Sequence, residues 1–184
     1  MRLTIRTGVA LLSAALLAAA TPVAFAQDMP PMPRPGPEHE MLKSEEGTWD
    51  ATIEMQTPGG PMTSTGTETN RMGCGGLCLI SDFTGELMPG MRFEGHGVTV
   101  WDPAKKAYVG TWTDSMSQGI AMGESTYDAK TKTSTGWLEG RDAMSGAMIK
   151  TKTVVEHKDP DTRVFTMFNP DGAPGMTITY RRKK

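Results

Sequence analysis

Apolar and polar residues alternate one for one through "EEGTWDATIEM", residues 45–55. Trp49, Ala51, Ile53 and Met55 fall on one side, and Asp50, Thr52, Glu54 and Gln56 on the other. A period of two is that of a strand with one buried face. "VGTWTDSM", residues 109–116, repeats the Gly-Thr-Trp start. From Gly47 onward the chain reads as strand, turn, strand. Strands are predicted near 47–57, 61–74, 77–87, 91–101, 106–116, 118–128, 132–141, 146–157, 162–169 and 174–182. "TPGGP" (57–61), "DPAKK" (102–106), "KDPD" (158–161) and "NPDGAPG" (169–175) supply turn residues between them. Thr, Val, Tyr and Trp enrich the strands. Before them, "PEHEMLKSEEG" (37–47) has helix-forming composition between Pro37 and Gly47, enough for one or two turns.

Short spacings between successive strands favour consecutive antiparallel pairing. Closing such a meander on itself removes its exposed edges, so the pattern predicts an all-β, about ten-stranded antiparallel up-and-down barrel with a short N-terminal helix. The Trp49 row then faces inward. Tyr108, Trp112 and Met116 share a parity on the fifth strand, and Phe93 and Trp101 on the fourth. Glycines at 95, 97, 110 and 123 are expected to mark sharp bends that help close the barrel.

Composition changes this picture mainly at the N-terminus. "MRLTIRTGVALLSAALLAAATPVAFA" has basic Arg2 and Arg6, an apolar run from Val9 to Ala20, and the triplet Ala24-Phe25-Ala26. It reads as a signal peptide over 1–26, cleaved after Ala26, which places the protein in the periplasm or outside the cell. The apolar run is too short for the roughly 30 Å of a bilayer core, so no stable membrane insertion is expected after cleavage. Residues 27–37, "QDMPPMPRPGP", form a Pro- and Met-rich arm, and 38–184 a single barrel domain. Removing Arg2 and Arg6 leaves 17 basic against 21 acidic residues. A mild negative balance without a basic stripe argues against nucleic acid as a partner.

Cys74 and Cys78 lie in "MGCGGLC", where Gly-Gly-Leu reads as a tight hairpin loop. Export and spacing favour a disulfide across that hairpin. A redox pair or half of a metal site are the alternatives, and a Cys-x-x-x-Cys pair without a second pair is a weak zinc signal.

Candidate chemistry is sparse. Trp49, Trp101, Trp112 and Trp137 all sit in strands and, with Met116, are candidate walls for a small apolar or amphipathic ligand. The alternative is that they fill the barrel as core. Arg71, Asp114 and Glu124 are candidate polar anchors inside the barrel. Arg71 paired with Asp114 or Glu124 is the structural alternative, since an internal charge must be paired or serve a ligand. The two carboxylates also raise a hydrolase or isomerase reading. Residues after the signal peptide include 14 of the chain's 15 methionines, among them Met88 and Met91 in a predicted turn. Thioethers bind Cu(I) and absorb oxidants, a further reading. Phosphate-loop, zinc-protease and nucleophile-elbow motifs are all missing from the sequence.

"PGPEHEMLKSEEGTWDATIEM", "TNRM", "FEGHGVTVWD" followed by "KKAYVGTWTDSMS", and the closing "ITYRRKK" resemble the bacterial domain-of-unknown-function 1579 family over nearly all of 36–184. The resemblance implies a calycin-like or lipocalin-like barrel and supplies no activity. The "GCGGLC" pair departs from the usual family turn and suggests an added staple. Nitrobindin-like haem barrels also begin with Gly-Thr-Trp after a short helix. Haem would need an axial ligand, usually His. His39 lies in the predicted helix, His96 on the side opposite Phe93, and His157 beside a turn. None suits that role, and no cofactor is expected.

Overall fold

The alternation read from the sequence closes into a barrel in the computed structural model, which describes residues 32–57, 59–88, 90–117, 119–142 and 145–184. Residues 1–26, read above as a signal peptide, and residues 27–31 of the Pro-rich arm lie outside the described residues. Helix α1 (His39–Ser44) leads into ten strands: β1 (Gly47–Thr57), β2 (Gly60–Gly73), β3 (Cys78–Met88), β4 (Met91–Asp102), β5 (Ala107–Asp114), β6 (Ala121–Asp128), β7 (Thr133–Arg141), β8 (Met148–Asp159), β9 (Thr162–Phe168) and β10 (Pro174–Arg182). Each strand pairs antiparallel with the next, and β1 pairs with β10 to close the sheet. The element order and most boundaries follow the alternation. The β5–β6 connection is longer than the sequence predicts, because β5 stops at Asp114 and β6 starts at Ala121.

One residue in two points inward, and registers fix which. Across the seam and its neighbours, Ile53, Ile178, Phe165, Val155 and Ser134 form one continuous inner row. Trp49, Ala51, Ile53, Phe83 and Tyr180 form the larger core cluster, with Phe93, Trp112 and Phe165 packed on it. On β4 and β5 the inner row runs through Gly95, Gly97 and Trp112. A Cβ on Gly95 would sit 2.2 Å from Trp112 Cζ2, and one on Gly97 3.0 Å from Cε3. These two glycines therefore make room for the indole. That close approach, rather than the bend expected from the sequence, explains them.

One end of the barrel is shut. Leu42 of α1 is buried against Leu79 and Tyr108, with Trp101 and Met72 beside them. The Tyr108 hydroxyl donates to the Glu38 carbonyl at 2.8 Å, fastening the segment before α1. Arg182 donates to the carbonyls of Ser44, Glu46 and Pro160 and ties the last strand to the same end. Cys74 and Cys78 are joined as a disulfide, with Cα atoms 5.5 Å apart, in the β2–β3 hairpin at this end. Among the described residues no helix is long and apolar enough to cross a membrane.

Candidate functional site

The inner rows of β4–β10 leave space between them. Gly110 and Gly123 are cross-strand partners on the inner face, and Ala121 pairs with Trp112. Small residues on one wall opposite Phe165, Ile178 and Ile53 leave a cavity of about 580 Å³. Its walls are mainly apolar: Ile53, Phe83, Phe93, Trp112, Phe165 and Ile178. A broader depression of about 750 Å³ lies outside, on β1–β3, lined mostly by Thr52, Thr65, Thr67, Thr84 and charged side chains. It lacks an apolar wall, so the interior cavity is the better site.

At the shut end the cavity meets a buried polar cluster. Glu68, Arg163 and Tyr180 line it there. Nη1 of Arg163 pairs with Glu45 and Nη2 with Glu68. The guanidinium lies between the rings of Trp49 and Tyr180, 4.6 and 4.4 Å from their centroids. Asn70 Nδ2 donates to Glu68 Oε1 at 2.8 Å and to the Glu45 carbonyl at 3.1 Å. That carbonyl also accepts the Trp49 indole N–H at 2.9 Å. His157 Nδ1 lies 3.1 Å from Glu45 Oε1.

Burial governs the protonation of this cluster. It raises the Glu68 carboxyl above its ordinary value, against hydrogen bonds from Asn70 and Tyr180 that pull it down. It holds Arg163 down to about 10, still protonated at neutral pH. Burial also lowers His157 and raises the Tyr180 hydroxyl well above its ordinary value. A buried carboxylate–guanidinium–carboxylate triad is costly to desolvate, so it contributes little net stability.

The mouth at the other end is ordered by Asp114. One carboxylate oxygen accepts the Trp112 indole N–H at 3.0 Å. The other accepts the backbone N–H groups of Met116 and Ser117 at 2.9 and 2.8 Å. Asp114 thus fixes both the indole and the start of the β5–β6 loop. Glu86 and Arg141 also border the mouth.

A family profile for proteins of unknown function, DUF1579, matches residues 34–182. The chain belongs to the DUF1579 family. No curated protein is similar enough to this DUF1579 chain to count as a relative. Among solved structures, Rv2717c from M. tuberculosis is 13% identical, aligning over 81% of this chain and 99% of that one with a TM-score of 0.60. A de novo designed fluorescence-activating β-barrel is 17% identical over 77% of this chain and 96% of that one, with a TM-score of 0.44. At these identities the likeness to Rv2717c extends to the fold alone.

The residues singled out in the DUF1579 sequence divide between the two faces. Trp112 and Asp114 are in the cavity wall and at its mouth. Trp49 is inward but 2% exposed, sealed in the shut end between Arg163 and Arg182, so it is core. Trp101 packs on Tyr108 at that end, 5.0 Å between ring centres, also as core. Arg71 is exposed, opposite Ile80 on the outer row, and does not pair with Asp114 or Glu124. Glu124 and Trp137 are cross-strand partners whose backbone borders the cavity but whose side chains lie outside. Glu124 pairs with Lys105 at 2.7 Å, and the Lys150 ammonium sits 3.7 Å over the Trp137 ring. Met116 is exposed in the β5–β6 loop. Asp114 and Glu124 consequently face different spaces and do not form an acid–base pair. Met88 and Met91 are partners across the β3–β4 turn, both exposed at the mouth. His96 is on the outer face with Asp82, as its parity indicates. Among the described residues no group of three or more His, Cys, Asp or Glu side chains is placed to hold a metal ion.

Strand alternation alone does not single out Glu45, Glu68, Asn70 and Arg163, nor assign His157, read above only as lying beside a turn, to this cluster. A signal for two of them was present. In "TRVFTMF" Arg163 shares its parity with Phe165 and Met167, and in "TETNRM" Glu68 shares its parity with Asn70 and Met72. A charged residue inside an otherwise apolar row is the pattern of a buried pair.

Proposed function

We propose that this DUF1579 barrel is an exported binding protein for a small amphipathic molecule held inside the barrel. The carrying observation is an apolar shaft of about 580 Å³ that ends on a buried ion triad. A barrel serving only its own stability gains from a filled core, because voids forfeit packing energy. The volume lies within the roughly 300–1,000 Å³ usual for small-molecule sites, and an apolar wall with few convergent polar groups is their usual chemistry. Trp112, Phe93 and Phe165 would grip the ligand body, while Glu68 and Arg163 would meet a polar end. The signal peptide read in residues 1–26 would take the protein to the periplasm or the medium. The Cys74–Cys78 disulfide suits an oxidising compartment.

Native mass spectrometry of the mature protein, purified gently from an exporting host, tests this reading. The expected result is a co-purified organic mass released on denaturation, or stoichiometric uptake of an uncharged apolar dye such as N-phenylnaphthylamine. Gly123→Leu supplies the control. A Cβ at Gly123 meets only ordinary contacts, 3.4 Å to the Trp137 carbonyl oxygen and 3.5 Å to Leu138 Cδ1, so a side chain there fills the cavity without a backbone clash. The variant should fold and lose the ligand. Wild-type protein that carries nothing and takes up no dye would refute the reading.

A further inference from the structure

We infer that the barrel selects amphipathic molecules whose polar end donates hydrogen bonds or is cationic, with alkyl amines favoured and carboxylates of the same chain length rejected. This rests on the cavity's being a ligand site, as proposed above. The guanidinium that would ordinarily bind an anionic head is already committed. Arg163 gives its two terminal nitrogens to Glu45 and Glu68 and both planar faces to Trp49 and Tyr180. Glu45 and Glu68 surround one guanidinium, and Arg182 beyond Trp49 is offset by Asp161 at 3.2 Å, so the surplus at the shut end is negative when both carboxylates are ionised.

The remaining polar atoms do not reverse this. Asn70 Oδ1, an acceptor, Arg163 Nε, a donor, and His157 Nε2, an acceptor while Nδ1–H donates to Glu45, are buried without partners, so donors do not outnumber acceptors there. Nor does inverting the ligand help an anion. At the mouth the inward carboxylate is Asp114, held by the Trp112 indole and two backbone N–H groups, while Glu86 and Arg141 occupy outward-facing positions and Arg141 Nη1 donates to the Gly146 carbonyl at 3.0 Å. Neither end of the shaft therefore offers an anion a free guanidinium. A carboxylate head would bring a further negative charge out of water into that field, which is costly. An ammonium gains from the same field and has three donors to offer, and a hydroxyl has one.

The test uses three ligands with one tail: decylamine, decanol and decanoate, each below its micelle concentration at neutral pH. Displacement of N-phenylnaphthylamine from the mature wild-type protein reads affinity, and calorimetry checks stoichiometry. Decylamine should bind at least about tenfold more tightly than decanoate, with decanol between them. Glu68→Gln keeps the shape and removes the surplus charge, and should narrow the amine-to-acid ratio severalfold. The wild-type series decides the matter alone should that variant not fold. Decanoate binding as tightly as decylamine, with the dye taken up normally, would overturn the selectivity and leave the cavity reading standing. Failure to take up the dye, in protein that carries no co-purified molecule, would overturn both.

Discussion

At position 95 the space that a side chain would need is already filled by an indole. Because a Cβ there would lie 2.2 Å from Trp112 Cζ2, Gly95→Ala must push the ring off its hydrogen bond to Asp114. Overpacking of this kind costs about 1–3 kcal/mol. The expected outcome is a fall of several degrees in Tm by calorimetry, with weaker dye uptake, because Trp112 is a cavity wall. His157 carries a second residue-scale prediction. Unfolded, it takes up a proton near its ordinary value of 6.5; folded, burial keeps it neutral to lower pH. The unfolded chain thus binds more protons below that value, and acidification costs stability through this group. Glu68 acts in the opposite sense. Its raised carboxyl favours the folded state at low pH, and that contribution is lost as pH rises above 4.5 and through its folded value. The difference between wild type and His157→Gln isolates the histidine: the variant's Tm should fall less steeply as pH drops from 7 to 5. Parallel slopes would show that His157 does not contribute.

At the scale of elements, the β2–β3 hairpin bears the disulfide at the shut end, away from the mouth. Replacing Cys74 and Cys78 by Ser should lower stability by about 2 kcal/mol on loop entropy. Dye affinity should stay unchanged, measured on the folded variant. The same separation explains how the sequence could be read. Strand positions were legible because alternation and turn residues are local properties. Which row faces inward was legible where one row was plainly apolar, as in β1, where Trp49 to Met55 all point in. It failed on β6 and β7. There the inner row is Ala121, Gly123 and Ser125, then Gly136, Leu138 and Gly140, while Met122 and Trp137 lie outside. A wall bordering an open space needs small residues, so the apolar moment of those strands points outward. Arg71 failed for a related reason: its neighbours Asn70 and Met72 are the inward pair, and a single strand gives no clue which polar residue the far side of the barrel can match. Arg163 matches Glu68 across 95 residues of sequence, a distance no local pattern spans.

For the whole molecule, ten antiparallel pairings make the barrel, and nine of them join neighbours in sequence. Only the β1–β10 seam joins strands from opposite ends, bringing Trp49 opposite Arg182. That seam is therefore the one strongly non-local closure among the ten. Until that seam forms, β1 and β10 are open edges with unpaired N–H and C=O groups, able to pair with another chain. A protein made from its N-terminus emerges with β1 first and its partner last. The first strand must wait through the synthesis of every other strand before its outer edge is protected. The interval between β1 and β10 is thus the period when this chain is most open to pairing with another copy, and its length is set by the rate of synthesis rather than by the barrel itself.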